Sequence, residues 1–291
     1  MIKRAIYSIL LILIASLQVT GTPYCDVRKF SIIDGLAANT ISDIAQTPDR
    51  LMWFSTWNGI SYYDGNSFHT FRDEADGIDL LSTNRFKGIY ATARNNVWCI
   101  TANRRLYAYE TILCTFVPVG DNINKLYNID LRVDKIYPIK HDNTWVTTKS
   151  GDYLIRINGL QREGNIPELI KVGQDGLRSG NIWHIWADKK KREWILTDKG
   201  TTIYHNQFST PIPFKWVREV GDNIFLATQD GRLAVFDENN KLNMIPLPAG
   251  VTRINQLKNT GYQLLIATNL GMIIYNPRTF KTEIINVQSP S

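Results

Sequence analysis

One pattern of residues recurs six times along this chain and constrains its fold more than any other feature. Each copy carries a large apolar anchor inside a short apolar run, and the anchors are Trp53, Trp98, Trp145, Trp194, Phe225 and Leu265. The positions six residues further on hold Gly59, Arg104, Gly151, Gly200, Gly231 and Gly271, so five of the six are glycine in a chain with only 19 glycines. The mean anchor spacing of about 42 residues is the period of four-stranded propeller blades.

Each repeat is predicted to form four short antiparallel strands. In the first repeat these are Ile41–Gln46, Met52–Thr56, Ile60–Asp64 and Ser67–Phe71, joined by turns rich in Gly, Asn, Asp and Pro. One such sheet cannot bury its faces alone, so the repeats must stack, and radial closure also protects the sheet edges. We therefore predict an all-β protein, a β-propeller in which the anchors pack between neighbouring blades and the glycines take positive φ.

The number of blades leaves two kinds of closure open. Six repeats account for the chain from Ile41 to about Val287, and Val27–Ile33 resembles the outer strand Asn66–Phe71 of the first repeat. An N-terminal strand often completes the last blade of a propeller, but the inner strands of such a blade are missing here. Either six blades close with one spare strand, or the ring is an incomplete one of seven blades. The second interpretation is favoured.

Little else in the sequence adds to this architecture. No amphipathic helix longer than two turns is predicted, and Asp73–Leu81 and Gln161–Leu169 are assigned to loops. The chain has three cysteines. Cys99 and Cys114 are placed in strands that are not neighbours, roughly 9–10 Å apart and beyond the reach of a disulfide. The core is therefore expected to hold the fold without that bridge.

The N-terminus has the pattern of an export signal. Lys3 and Arg4 form a positive region, Ile9 to Leu17 form an apolar region, and a site suitable for cleavage follows near Gly21. We predict a signal peptide over residues 1–21, a propeller domain over residues 22–291 and a periplasmic location. The alternative is an uncleaved membrane anchor, because the apolar stretch is only slightly shorter than a membrane span.

Charge and motifs argue against several classes of function. The net charge of +6 is not gathered in a long Lys/Arg stripe, so no nucleic-acid partner is expected. The sequence has no nucleophile elbow, zinc-protease motif, Walker loop or dinucleotide-binding motif. Its four histidines lie in different repeats without the spacing of metal ligands. We expect no catalytic residue, no metal and no cofactor in this chain.

The first repeat resembles a known family. Its matching residues are Gly35-Leu36, Asn39, Trp53, Thr56, Gly59, Tyr63-Asp64-Gly65 and Phe68. At this spacing they are similar to the regulator propeller repeat, and the later repeats keep only part of the pattern. That repeat is typical of the periplasmic sensor region of hybrid two-component histidine kinases in polysaccharide-degrading gut bacteria.

The resemblance implies a function and partners. It implies a seven-bladed sensor propeller that binds a glycan-derived oligosaccharide and acts as a homodimer. In that family an immunoglobulin-like domain, a membrane helix and kinase, receiver and DNA-binding domains follow, and we find none of them in these 291 residues. We expect the chain to be an N-terminal piece or a stand-alone propeller. Contact with a membrane would come through the absent C-terminal parts or an uncleaved signal segment.

The candidate ligand-binding residues combine indoles, amides and basic groups, which suit sugar rings. They are Trp57, Asn58, Arg85, Arg104, Trp183 and His184. Trp57 is favoured because it lies in a turn beside Gly59, whereas Trp183 and Trp186 could simply fill the core. Two other functions stay open. One is a secreted propeller lyase or glycosidase with two carboxylates in a central pocket, and the other is a structural domain that binds a protein through an open edge.

Overall fold

Short apolar runs separated by tight turns fold this chain into strands almost throughout. The computed structural model describes residues 27–72, 83–92, 96–111, 114–139, 143–159, 166–174, 177, 180–206 and 208–285. Over these residues it contains 24 strands, arranged as six four-stranded antiparallel sheets. The predicted fold class, an all-β propeller of four-stranded blades with six blades visible, is therefore confirmed.

Each blade is a meander whose strands pair in the order of the chain. The first three blades consist of β1 Ile41–Gln46, β2 Met52–Thr56, β3 Gly59–Tyr63, β4 Phe68–Phe71, β5 Phe86–Ala91, β6 Val97–Thr101, β7 Leu106–Glu110, β8 Thr115–Val117, β9 Val133–Pro138, β10 Asn143–Thr148, β11 Tyr153–Asn158 and β12 Glu168–Lys171. The last three consist of β13 Ile182–Ala187, β14 Glu193–Thr197, β15 Gly200–Ile203, β16 Ser209–Thr210, β17 Trp216–Val220, β18 Asn223–Ala227, β19 Leu233–Phe236, β20 Leu242–Ile245, β21 Ile254–Asn259, β22 Leu264–Thr268, β23 Gly271–Asn276 and β24 Lys281–Ile285. The first strands of neighbouring blades lie side by side, as β1 and β5 do, so these inner strands surround the propeller axis.

The anchors pack between blades, as predicted. Five clusters of buried side chains fill the five interfaces between consecutive blades. The Trp53 ring lies 5.0 Å from that of Tyr109 in the second blade, and the Trp194 ring lies 5.0 Å from that of Phe236 in the fifth. The first five anchors are at most 2 % exposed. The sixth, Leu265, is only half-buried, because no further blade follows within the described residues.

The turn between the second and third strands takes positive φ in every blade, as predicted for the five that carry glycine. The φ values are 121° at Gly59, 65° at Arg104, 77° at Gly151, 144° at Gly200, 91° at Gly231 and 102° at Gly271. A Cβ atom on Gly59 would lie 2.5 Å from the carbonyl oxygen of Phe71. That close approach requires glycine there, whereas Arg104 shows that the second blade tolerates a side chain at the same position.

A threonine three residues after each anchor closes the same turn, a regularity that sequence reasoning missed. Its hydroxyl donates to a backbone carbonyl across the hairpin, and each of these threonines is buried. The bonds run from Thr56 to Gly59 (2.8 Å), Thr101 to Arg105 (3.3 Å), Thr148 to Tyr153 (3.2 Å), Thr197 to Gly200 (3.0 Å), Thr228 to Arg232 (3.4 Å) and Thr268 to Gly271 (2.9 Å). The repeat therefore includes a threonine as well as an anchor and a glycine.

The predicted outer strand over Val27–Ile33 is wrong. Residues 27–31 form no strand, and Ile32–Asp34 is a single 3-10 turn. A capping box directs the chain this way: Ser31 Oγ accepts the N–H of Ile33 (3.2 Å), and the Asp34 carboxylate accepts the N–H of Ser31 (2.7 Å). Gly35 ends the turn with a φ of 104°, so the chain reverses before a strand can form.

Residues 30–37, which we call the N-terminal cover, lie over the free face of the first blade. The Phe30 ring packs on those of Tyr63 and Phe68, with centroids 5.1 and 5.3 Å away. The N–H of Ala37 donates to Ser61 Oγ (2.9 Å), and Ala37 is 2 % exposed. The segment therefore packs on the first blade instead of adding a strand to the last one.

The free face of the sixth blade has no cover among the described residues. Strand register places Leu265, Ala267, Met272, Ile274 and Ile285 on the side turned away from the fifth blade. The first four are half-buried and Ile285 is exposed. The described blades thus form an arc with one covered end and one bare end.

The structure also corrects the expectation that no helix exceeds two turns. Helix α1, Val119–Tyr127, inserts Val119 and Ile123 into the core between the second and third blades. Val119, Ile123 and Tyr127 recur every four residues and pack in the same cluster, so an apolar stripe is present but extends over only nine residues. Of the predicted loops, Asp73–Leu81 lies outside the described residues, as do residues 161–165.

Two of the three cysteines are described. Cys99 is buried in β6, and Cys114 is exposed in the turn before β8. Both are free thiols, in line with the prediction that no bridge joins them. The third, Cys25, lies outside the described residues.

Candidate functional site

One end of the propeller, which we call the loop face, collects the turns between second and third strands and the residues directly before the inner strands. We call the latter pre-strand residues. The carbonyl of Arg85 accepts the N–H of Ala102, and the carbonyl of Arg132 accepts that of Lys149, both at 2.8 Å. Pre-strand residues are therefore fixed against the turns of their own blades. The six predicted ligand-binding residues lie on this end or just inside it.

Two of the six predicted residues line one groove between the first and second blades. Trp57, whose side chain is 61 % exposed, stands in the two-residue turn between β2 and β3. The Arg85 guanidinium lies over the Trp57 ring, 5.7 Å from its centroid. The groove has a volume of about 410 Å³ and is lined by Ser42, Trp57, Arg85, Phe86, Lys87 and Ala102. The Trp57–Arg85 pair is the best-formed candidate site on the loop face.

The hairpin holds the turn so that Trp57 points to solvent. Thr56 Oγ1 accepts the N–H of Asn58 (3.0 Å), and Arg72 Nε donates to the carbonyl of Asn58 (3.1 Å). Asn58 therefore adjoins the groove with its backbone fixed and its side chain exposed. A sugar ring can stack its C–H face on such an indole, while Arg85 donates hydrogen bonds to groups at the ring edge.

Trp183 belongs to a second cluster, between the fourth and fifth blades. Lys215 Nζ lies 5.7 Å from the ring centroid of Trp183 and 5.3 Å from that of Trp216. The same ammonium donates to Gln229 Oε1 at 3.0 Å, and both indoles are half-buried. Trp186 packs against the core between these blades, which is the core role that the sequence allowed for it.

Sequence reasoning missed Lys87, Lys215 and Trp216. The signal that could have revealed Lys215 is its position directly before an inner strand, which Arg85 shares. Recognising that signal requires the bounds of the inner strands, which the sequence gives only approximately.

Arg104 and His184 have partners within the fold. Arg104 donates to Asp134 Oδ1 at 2.9 Å, which ties the turn of the second blade to the inner strand of the third. His184 is half-buried, and its ring lies edge-on to that of Tyr137 at 6.2 Å. Burial, and next the charge of Arg218, lower the pKa of His184, so the neutral imidazole is favoured. A ligand-binding role for Arg104 and His184 stays a prediction.

Two carboxylates on inner strands near the axis also have partners within the fold. Asp43 accepts the N–H of Ile89 at 3.1 Å, and Asp134 is paired with Arg104.

The hydroxyl of Tyr137 is buried without a hydrogen-bond partner in the described part of the chain. Burial, with smaller effects of Asp134 and Tyr90, raises the pKa of Tyr137 to about 12, so this hydroxyl stays protonated at neutral pH.

No group of three or more His, Cys, Asp or Glu residues is placed to hold a metal ion in the part of the chain that the structure describes. His69 lies 3.2 Å from Asp64, and His205 lies 3.6 Å from Glu168, while His141 falls outside the described residues. Within those residues, too, no helix has the length and apolar character needed to cross a membrane.

Solved structures share this propeller fold. One is described as the extracellular domain of a hybrid two-component system, BT3049 of B. thetaiotaomicron, with 18 % identity, a TM-score of 0.54 and coverage of 90 % of this chain and 37 % of that one. The extracellular domain of BT4673 from the same organism has 16 % identity and a TM-score of 0.52, with coverage of 91 % of this chain and 39 % of that one. Streptogramin B lyase has 12 % identity and a TM-score of 0.50, with coverage of 88 % of this chain and 85 % of that one.

No family model and no curated protein matches the chain. The chain spans less than two fifths of the length of the two extracellular domains. The predicted resemblance to the sensor propellers of two-component systems is therefore confirmed as a likeness of fold, because these identities are too low to carry more.

Proposed function

We propose that this chain is the ligand-sensing propeller of a periplasmic two-component regulator and that its loop face binds a glycan-derived oligosaccharide. The fold shared with the extracellular domains of two-component systems supports the sensor role. The indole and guanidinium paired at the loop face support sugar binding. The export pattern of residues 1–21 supports the periplasmic location.

The exposure of Trp57 carries the proposal. Trp53, four residues earlier, is fully buried, whereas Trp57 is 61 % exposed and adds little to the core. The turn that holds Trp57 is fixed by the hydroxyl of Thr56, which donates to the Gly59 carbonyl at 2.8 Å. A flat apolar face presented by a rigid turn loses little entropy when a ligand binds. A binding role explains this exposed indole, and core packing does not.

Calorimetric titration against a panel of oligosaccharides tests the proposal. Trp57→Ala is expected to weaken sugar binding about tenfold, since stacking contributes on the order of 1 kcal/mol, without changing the melting temperature. The matched control is Tyr262→Ala, because Tyr262 is 63 % exposed in the turn between β21 and β22, at the opposite end of the propeller. Failure of the unaltered protein to bind any sugar would contradict the proposal.

A seventh blade on the bare face of the sixth is part of the same proposal, as is a homodimer in the full-length regulator. Leu265 supports the further blade, since each of the other five anchors meets a following blade. In a longer form of the protein with Cys25 and Cys114 replaced by serine, an Ile274→Cys variant is expected to be protected from a maleimide. The same variant of residues 22–291 is expected to react. Equal reactivity in the two forms would contradict a covering blade.

A propeller lyase or glycosidase is the second candidate, and the likeness to streptogramin B lyase favours it. Against it, Asp43 and Asp134 are already held by neighbouring groups and are not poised as a free acid and base. Chromatography of each bound sugar separates the two candidates, because a sensor releases it intact and an enzyme cleaves it. The bare face of the sixth blade leaves a protein-interaction domain as a further outcome, recognised by capture of a partner without sugar binding.

A further inference from the structure

Basic residues recur at the pre-strand position of the blades. Four of the six positions hold Arg or Lys, and the six residues are Thr40, Arg85, Arg132, Asn181, Lys215 and Arg253. Because the inner strands surround the axis, these residues stand along an arc around its mouth on the loop face. Backbone bonds to the turns hold Arg85, Arg132, Asn181 and Arg253 in place.

Three of these four cations have no carboxylate partner among the described residues. Arg132 is paired with Asp130 at 2.9 Å. Arg85 instead lies over the ring of Trp57, and Lys215 lies between two indoles. Arg253 forms no ion pair within the described part of the chain, and its side chain is exposed. The charges of Arg85, Lys215 and Arg253 are therefore not neutralised by any carboxylate that the structure describes.

Most carboxylates on the same face are already engaged. Asp134 accepts from Arg104, Asp198 accepts the N–H of Asn181 at 2.8 Å, and Asp230 is paired with Arg232 at 3.1 Å. Asp152 is exposed in the turn of the third blade. Two of these carboxylates are therefore paired with arginines and a third accepts hydrogen bonds from Asn181, whereas Arg85, Lys215 and Arg253 have no carboxylate partner among the described residues. The face therefore presents a net positive field.

The way in which two of the cations are held favours a sugar over a nucleic acid. Each rests against an indole, Arg85 on Trp57 and Lys215 on Trp183 and Trp216. An indole takes the C–H face of a sugar ring, and a cation at its edge takes a carboxylate or sulfate through a charge-assisted hydrogen bond. Cations at four of the six pre-strand positions along an arc do not form the continuous track that a phosphate backbone follows.

We propose that the loop face selects acidic oligosaccharides, carrying carboxylate or sulfate groups, with Arg85 and Lys215 as the two main anion contacts. This inference rests on the proposed function and names the chemical class of its ligand. Lys87, beside Arg85 in the same groove, adds a third cation to that contact.

Two matched pairs of probes test the selection by calorimetry. One pair is tetragalacturonate and its methyl ester, and the other is a sulfated galactotetraose and its desulfated form. At least one acidic probe is expected to bind about tenfold or more tightly than its neutral partner, and its affinity is expected to fall as salt rises. The pair that discriminates identifies the anion as carboxylate or sulfate.

Variants assign the effect to the two cations. Arg85→Gln and Lys215→Gln are each expected to weaken the acidic probe about tenfold, the effect of losing one charge-assisted bond, while the neutral partner binds as before. Lys190→Gln is the matched control, since Lys190 is exposed in the turn between β13 and β14 at the opposite end. Unchanged melting temperatures exclude unfolding as the cause.

Each remaining outcome has a definite meaning. Equal binding of acidic and neutral probes overturns the acidic selection and leaves the proposed sugar sensor standing. Binding of no sugar at all overturns both. A single-stranded oligonucleotide that binds as tightly as the best acidic sugar also overturns the selection, because the face would then be a general anion surface.

Discussion

The two ends of the arc of blades differ in how they treat a sheet face without a neighbour. On the first blade, the N-terminal cover packs Phe30 onto the sheet, and Thr70 Oγ1 donates to the Gly35 carbonyl at 2.7 Å. On the sixth blade, the free face is the opposite, anchor-bearing one, and it presents Leu265 and Ile274 without a cover among the described residues. Both blades have the same four-stranded meander, but they leave opposite faces of the sheet without a neighbouring blade.

The repeat supplies packing only where two repeats meet. Each inner interface is filled by an anchor from one blade and apolar residues of the next, but an end blade needs something from outside the repeat. At the first blade this is a capped turn in the same chain. At the sixth, none of the described residues takes this role, and the proposed seventh blade would fill it.

The largest expected effect comes from comparing a filled interface with the bare end. Trp53→Ala should lower the free energy of unfolding by about 3–5 kcal/mol, as for other buried aromatic truncations. Leu265→Ala, at the same repeat position, should lower it by less than about 1 kcal/mol, because this side chain is already half exposed to water. Urea denaturation measures both. Similar losses would mean that the sixth blade is packed in solution.

The cover itself is tested next. Phe30→Ala should destabilise the protein by about 1–2 kcal/mol, because the ring is partly exposed but contacts Tyr63 and Phe68. Val27→Ala is the control, since Val27 is 75 % exposed, and should leave the urea midpoint unchanged. If Phe30→Ala behaves like this control, the cover does not stabilise the first blade.

The threonine hydrogen bond in the second hairpin is present in both the first and the sixth blade. It tests whether the sixth blade itself is as stable as the first, apart from the packing of its free face. Thr56→Val and Thr268→Val each remove a hydroxyl that donates to a glycine carbonyl, at 2.8 and 2.9 Å. Both should lower stability by about 1 kcal/mol, the net contribution of such a bond, at the covered end and the bare end alike. A much smaller loss at Thr268 would indicate that the whole sixth blade, and not only its free face, is loosely held.

The smallest expected change in stability comes from making the free face of the sixth blade less hydrophobic. Ile274→Lys should shift the free energy of unfolding by no more than about 0.5 kcal/mol, because the half-buried side chain lies on a face open to water and a lysine there can keep its ammonium in solvent. It should also reduce the fluorescence of a bound hydrophobic dye. Glu283→Gln, a polar change on the paired residue of the same face, should not reduce the dye signal. Strong destabilisation by Ile274→Lys would place this residue in a core.

The repeat made most of the fold predictable. Anchor spacing gave the blades, and the strands of the first blade begin and end within one residue of their predicted bounds. Positive φ was predicted for the glycines of the turn, and Arg104 shows that the same register imposes it on a residue with a side chain. The apolar alternation of Val27–Ile33 misled, because a capping box between Ser31 and Asp34 outweighs it locally.

The candidate site was predictable in its parts but not in its grouping. Trp57 and Arg85 were identified separately, and only the packing of two blades brings them into one groove. Arg104 has the same chemistry as Arg85, yet Asp134, thirty residues further along the chain, engages it. Which of two equivalent cations stays available depends on contacts between blades, and a single repeat does not encode them.

In an arc of six blades with five interfaces, the two end blades each have one neighbouring blade, whereas every blade of a closed ring has two. In a stack whose units contact only their neighbours, local opening begins where a unit has one neighbour instead of two. Amide protons of β21–β24 should therefore exchange with solvent earliest, and those of the third and fourth blades latest. A ligand that spans several blades on the loop face would slow exchange most in the blades at the ends, and so could be detected far from where it binds.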